Sequence, residues 1–131
     1  MSRPELEEAR LLLRKAREDA QAVSKLASDA SVADSIVGFH AQQAVEKALK
    51  SILAVSGDDF PWTHDLNFLI ERLGNIGAPL PSSLHEIRVL GPWAVEFRYG
   101  ETIDDPLDRS EAMSLVEQAI NWASNQVETE S

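Results

Sequence analysis

The amino-acid sequence predicts an all-α protein, an antiparallel bundle of four to five helices. Apolar residues recur at steps of three and four along most of the chain, as they do on the buried face of a helix. No segment alternates apolar and polar residues in the manner of a half-buried strand, and the connections are short, which favours antiparallel neighbours. With 131 residues the chain has the length of one domain, so residues 1–131 are expected to form a single unit.

Two long helices are predicted first, over residues 4–29 and 32–55. In the first helix, the apolar residues at helical spacing are Leu6, Ala9, Leu13, Ala16, Ala20 and Val23. At the start of the second, Ser31 and Asp34 form a weak relative of the capping box, and Gly57 follows its last apolar residue. The apolar face of this central helix is expected to consist of Val37, Ala41, Ala44, Ala48 and Ile52.

A short helix and an interrupted helix follow the central one. Thr63 is the predicted N-cap of the short helix, which ends at Gly74. Its inward residues are expected to be Leu66, Leu69, Ile70 and Leu73. Ser83 and Glu86 form a capping box for the next helix, which Gly91-Pro92 is expected to kink or break, because proline lacks an N–H and clashes with the preceding turn.

The last part of the predicted bundle begins after this break. Residues from Trp93 to Tyr99 are expected to form a short separate rod, and Pro106 is predicted to open the final helix. The inward residues of the final helix are predicted to be Met113, Val116, Ile120, Ala123 and Val127.

Composition limits the classes of function. The net charge of −10 argues against broad electrostatic attachment to DNA, to other nucleic acids or to anionic membranes, so any nucleotide contact must be local. The absence of cysteine excludes disulfides and thiolate metal sites. No signal peptide or membrane-spanning run is visible, and a cytoplasmic protein is expected. Neither a cofactor nor a metal site is predicted, since His40, His64 and His85 lie far apart and no H-E-x-x-H motif is present.

Residues 39–50, F-H-A-Q-Q-A-V-E-K-A-L-K, carry the most informative polar pattern. With about 3.6 residues per helical turn, His40, Gln43, Lys47 and Lys50 share one stripe of the central helix, with only one carboxylate nearby. In an acidic chain, an imidazole, an amide and two ammonium groups together indicate a place for an anion such as phosphate. The alternative is a solvated or buried hydrogen-bonding face, in which neighbouring groups satisfy these side chains.

Two further groups are candidates for the same pocket. At the predicted helix start, free N–H groups and the helix dipole favour an anion, which His64 could bind or protonate. Asp65 could orient His64 or simply cap the helix. Arg98 offers a planar fork for phosphate and Tyr99 a face on which a base could stack, although cations are also favoured at helix ends for structural reasons.

The motifs F-H-A-Q-Q-A-V-E-K-A-L-K, W-T-H-D-L and W-A-V-E-F-R-Y occur in this order, and residues 6–127 closely resemble the HEPN family (higher eukaryotes and prokaryotes nucleotide-binding). The resemblance implies a helical bundle, often a homodimer, that is linked to nucleotide binding. Bacterial members are commonly encoded beside a minimal nucleotidyltransferase or fused to one, and several such pairs behave as toxin and antitoxin. The positions that match the family's motifs are His40, Gln43, Glu46, Lys47, His64, Asp65, Arg98 and Tyr99.

One departure from the family concerns catalysis. Ribonuclease members carry an arginine followed after four to six residues by histidine, and this chain has no such pair; the window after Arg98, Ile103 to Asp105, holds no histidine. The preferred hypothesis is therefore a non-catalytic nucleotide-binding module that acts with a nucleotidyltransferase. The alternatives are an RNA-cleaving toxin that uses His40 or His64 with Arg98, and a structural protein whose motif residues form a buried hydrogen-bond network.

Overall fold

The computed structural model describes residues 3–94 and 106–130, and within these ranges the secondary structure is helical throughout. It consists of four α-helices, α1 (Arg3–Leu26), α2 (Asp34–Val55), α3 (Leu66–Asn75) and α4 (Arg109–Glu130), with a 3₁₀ helix (Ser82–Trp93) between α3 and α4. The predicted all-α fold class is confirmed. No helix in the described part of the chain combines the length and apolarity needed to cross a membrane.

Helix α2 is the centre of the bundle, because each of the other four elements packs against it. Its predicted apolar face is buried, with Val37, Ala41, Ala44, Ala48 and Ile52 at most 1% exposed. Helices α1 and α4 run antiparallel, since Arg10 pairs with Glu128 and Arg17 donates a hydrogen bond to Ser124. The inward residues predicted for α3, Leu66, Leu69, Ile70 and Leu73, are also buried.

The N-cap of α3 is Asp65 rather than Thr63, which corrects the predicted helix start. The Asp65 carboxylate accepts hydrogen bonds from the backbone N–H groups of Asn67 and Phe68, at 2.9 and 3.3 Å. Thr63 lies two residues earlier, and its Oγ1 accepts a hydrogen bond from the backbone N–H of Asp65. A carboxylate both accepts these bonds and complements the positive helix end, which explains why aspartate takes this position.

Helix α4 also begins later than predicted. Asp108, two residues after Pro106, accepts a hydrogen bond from the N–H of Glu111 at 3.0 Å, and the helix starts at Arg109. Most of the predicted inward residues are buried, namely Val116, Ile120, Ala123 and Val127. Met113 is an exception, since it is 39% exposed and lines an open groove between α1 and α4.

The segment after α3 is a 3₁₀ helix and lacks the predicted capping box. Its N-cap is Pro81, with no side-chain hydrogen bond, and its turns continue through Gly91-Pro92 to Trp93. The buried residues Leu84, Ile87, Leu90 and Trp93 recur at steps of three. Three residues per turn is the period of a 3₁₀ helix, so this spacing places all four on one face. The predicted rod from Trp93 to Tyr99 lies almost wholly outside the described residues.

Arg109 ties the connection between α1 and α2 to the start of α4. Its Nε donates a hydrogen bond to Asp34 at 3.0 Å, and its other nitrogens donate to the backbone carbonyls of Leu26, Ala27, Asp29 and Val32. Ser31 does not cap α2: its hydroxyl and its backbone N–H bond to the Asp29 carboxylate and hold the pKa of Asp29 below its ordinary value. A single guanidinium thus bonds four carbonyls of this turn. Those of Leu26 and Asp29 also accept from backbone N–H groups within the turn.

Trp93 packs directly on α2 at Gly38. A Cβ atom at Gly38 would lie 2.5 Å from Cδ2 of the Trp93 ring, which is closer than any van der Waals contact. The absence of a side chain at Gly38 therefore allows the 3₁₀ helix to approach the central helix.

We expect Gly38→Ala to lower the free energy of unfolding by about 1–3 kcal/mol, because the added methyl group overlaps the indole of Trp93 and forces repacking. Gly74→Ala is the matched control, since Gly74 lies in α3 and its Cβ position meets no atom within 4 Å. The control should be unchanged or gain up to about 1 kcal/mol from helix propensity. Urea unfolding of both variants checks this, and a Gly38→Ala protein as stable as Gly74→Ala would contradict it.

Candidate functional site

A buried carboxylate, that of Glu46, lies at the centre of the polar face of α2. The residue is only 2% exposed, yet its oxygens accept hydrogen bonds from four side chains. Lys50 Nζ donates to Oε2 at 2.9 Å, and His64 Nδ1 lies 2.8 Å from Oε1. Gln42 Nε2 and Gln43 Nε2 donate to Oε1 at 3.1 and 3.5 Å. A buried charge is tolerated only when it is paired and hydrogen-bonded in this way.

Gln42 connects this network to the segment before α3. It is fully buried, and its Nε2 donates both to Glu46 and to the backbone carbonyl of His64, at 3.0 Å for the carbonyl. Its Oε1 accepts from Gln43 Nε2 at 2.8 Å. Because a carboxylate and a carbonyl only accept, the amide nitrogen of Gln42 must face them. Helix α2 therefore holds both the ring and the backbone of His64.

His64 and Trp62 form the exposed end of the network. An ionised carboxylate cannot donate, so the bond to Glu46 places a proton on His64 Nδ1. The His64 side chain is 40% exposed, and Nε2 has no hydrogen-bond partner among the described residues. Trp62 is 82% exposed, and its ring meets the imidazole edge-to-face with centroids 4.4 Å apart. A fixed imidazole and an exposed indole thus share one surface.

His40 and Lys47 belong to a second cluster, which is centred on Asp19 of α1. The Asp19 carboxylate lies 3.0 Å from His40 Nδ1 and also accepts a hydrogen bond from Lys47 Nζ. At about 100° per residue, positions 40 and 47 nearly coincide around the helix, whereas position 43 is turned away by about 60°. The two pairs of residues predicted to form one stripe therefore face different neighbours.

The structure brings the predicted site residues together only in part. Gln43, Lys50 and His64 meet at Glu46, whereas His40 and Lys47 meet at Asp19.

Asp65 caps α3, and the group that bonds the His64 ring is Glu46. Arg98 and Tyr99 lie outside the described residues. Both ammonium groups of the predicted stripe are paired with a carboxylate, and the assignment of these residues to a nucleotide site stays a prediction.

Two members of these clusters, Gln42 and Asp19, are not singled out by the sequence pattern. Gln42 precedes Glu46 by four residues, and Glu46 precedes Lys50 by four, so the three share a helix face. Asp19 lies three residues after Ala16 and four before Val23, both of which are buried. A charged residue at a core-facing position of this kind is the signal that would have found it.

One groove among the described residues lies apart from the predicted site residues. A groove of about 350 Å³ between α1 and α4 is lined by residues that include Arg17, Met113, Glu117 and Ile120. Within the described ranges, no group of three or more histidine or acidic side chains is arranged to hold a metal ion. The polar face of α2 and the loop that carries Trp62 and His64 therefore form the candidate site.

Fold and site together define a helical-bundle domain whose central helix carries a buried polar network. The chain belongs to the HEPN domain family, since the sequence model of the HEPN domain matches residues 9–126. The resemblance seen in the sequence motifs is thereby confirmed, and it supports a nucleotide-binding or ribonuclease-like helical module. No curated protein and no solved structure matches the chain with significant similarity.

We expect Lys50→Met to lower the free energy of unfolding by about 3–5 kcal/mol, because it leaves the Glu46 carboxylate buried without its cation. Lys47→Met is the matched control on the same helix. The Lys47 side chain is 27% exposed, and its pair with Asp19 should contribute about 1 kcal/mol or less. Denaturant unfolding at neutral pH measures both losses, and equal losses would show that the Lys50 pair is not held as described.

Proposed function

We propose that this chain is a nucleotide-binding helical module whose ligand lies against Trp62 and His64. The observation that carries the proposal is the exposed indole beside an imidazole that a buried network holds in place. An isolated surface tryptophan is ordinary, but one that flanks a fixed polar ring provides both a stacking face and a hydrogen-bonding group. Stacking of a base on an aromatic side chain is worth about 1–3 kcal/mol.

The predicted residues take different parts in this proposal. Gln43 and Lys50 are buried, so they support the network around Glu46 and do not contact the ligand. His40 and Lys47 are partly exposed, and they are the proposed contacts for phosphate groups, which would compete with Asp19 for them.

Arg98 and Tyr99 remain proposed ligand contacts on the strength of the sequence motif alone.

We further propose that the module acts as a homodimer with a nucleotidyltransferase partner, as in a toxin–antitoxin pair. The support for this is the family resemblance stated from the motifs. We expect a nucleotidyltransferase encoded by a neighbouring gene to co-purify with the tagged chain, and the chain alone to have twice its monomer mass of 14.5 kDa in light scattering. A stable monomer that captures no such enzyme when the two are co-expressed would contradict both parts.

The second candidate function is RNA cleavage, and one observation favours it. The carboxylate of Glu46 bonds to Nδ1 of His64, which is how a general base is commonly oriented. The missing arginine–histidine pair weighs against it. Incubation of the purified, folded chain with total RNA separates the two functions, since the binding module leaves the RNA intact.

We expect wild-type protein to bind at least one of ATP, GTP and a short RNA saturably, with a change in tryptophan fluorescence. Trp62→Ala should weaken binding about tenfold or more, the loss that corresponds to one stacked base. His64→Ala should weaken it as well, whereas His85→Ala is the matched control, because His85 is an exposed histidine on the 3₁₀ helix. Absence of saturable binding by folded wild-type protein, or an unaffected Trp62→Ala variant, would refute the proposal.

A further inference from the structure

We infer that Glu46 is a positioning residue that sets the tautomer of His64, so that His64 Nε2 accepts a hydrogen bond from the ligand. The group bound there is then a donor, either a ribose hydroxyl or a base amino group, and not a phosphate oxygen. The inference rests on the proposed nucleotide-binding function and narrows it, since it assigns the nucleoside part of the ligand to this surface.

The first step concerns the proton on Nδ1. Glu46 Oε1 lies 2.8 Å from His64 Nδ1, and the same carboxylate also accepts hydrogen bonds from Lys50 and Gln42. An ionised carboxylate has only lone pairs to offer, so the hydrogen in this bond belongs to the imidazole. A carboxylate or carbonyl that binds one ring nitrogen commonly decides the role of the other in this way.

The second step concerns charge. Lys50 already neutralises Glu46 at 2.9 Å, so the buried pair needs no positive charge from the ring. No other acidic side chain among the described residues bonds to His64. A neutral imidazole with its hydrogen on Nδ1 carries a lone pair on Nε2, which accepts from O–H and N–H groups and repels phosphate oxygens.

The third step concerns direction. Gln42 holds the backbone carbonyl of His64 at 3.0 Å, Glu46 holds the ring, and Trp62 packs against it edge-to-face. These three contacts restrain the ring, and its centroid lies 4.4 Å from that of the indole on which the base is proposed to stack. A base on Trp62 would bring its own amino group or its attached ribose to Nε2, with the phosphates further away.

Nitrogen-15 NMR of the labelled full-length protein tests the tautomer without any ligand. We expect the His64 signals of the Nδ1–H form in wild-type protein, and a change toward the Nε2–H form or a mixture in Glu46→Gln, whose amide can donate as well as accept. His85 serves as the internal reference for an exposed imidazole. An Nε2–H tautomer or a doubly protonated ring in wild-type protein at neutral pH would overturn the inference, even if Glu46→Gln fails to fold.

A ligand series tests the donor group. We expect adenosine to keep most of the affinity of ATP, within about tenfold, and inorganic pyrophosphate not to displace adenosine from Trp62 and His64. Comparison of 2′-deoxyadenosine and purine riboside with adenosine then separates a ribose hydroxyl from a base amino group, since the analogue that lacks the donor binds more weakly. If pyrophosphate displaces ATP and adenosine does not bind, the inference is wrong while nucleotide binding stands. If no nucleotide binds but the Nδ1–H tautomer is found, the assignment of Glu46 stands and the proposed function fails.

Discussion

The buried charge of Glu46 is the constraint on which the polar half of the molecule depends. The residue lies in the middle of α2, the helix against which every other described element packs, so its carboxylate cannot reach bulk water without disturbing the core. Such a charge is tolerated only with close partners, and this requirement dictates where Gln42, Lys50 and His64 must lie. The loop before α3 is thereby tied to the central helix by polar contacts as well as by packing.

The polar face of α2 carries less net positive charge than a simple basic site would. The chain carries a net charge of −10, and the lysines of the predicted stripe are each paired, one with Asp19 and one with Glu46. Pairing leaves little net positive charge on this helix to attract a phosphate from a distance. Recognition on this face would rest mainly on the aromatic surface of Trp62 and on the hydrogen-bonding edge of His64.

Periodicity alone predicted the fold class and most of the core, because burial of an apolar stripe repeats with every helical turn. The apolar face of α2 and the inward residues of α3 follow that pattern closely. The 3₁₀ helix could not be separated from an α-helix by its capping residues, although the strict three-residue spacing from Leu84 to Trp93 contains the information. The predicted N-cap of α3 was two residues too early. Thr63 and Asp65 can both cap a helix, and Asp65, the stronger acceptor, caps this one.

Most members of the polar clusters were predictable from the sequence, but their partners were not. Which neighbour each side chain meets depends on contacts between distant segments, such as that of Asp19 with His40, and spacing along one helix carries no information about them. Glu46 matched the family motif, but the sequence offered no sign that its charge would be buried. The pairing of Gln42 with the carbonyl of His64 likewise depends on where the loop before α3 folds back.

The contacts of Arg109 join two segments of the chain that are synthesised at different times. The guanidinium reaches the carbonyl of Ala27, which is 82 positions earlier, so the bend between the first two helices receives its donors from the start of the last one. During synthesis that bend emerges from the ribosome long before its donors do. Until then the carbonyls of Ala27 and Val32, which Arg109 bonds in the folded chain, must be satisfied by water, and a shortened chain that stops before α4 would leave them hydrated.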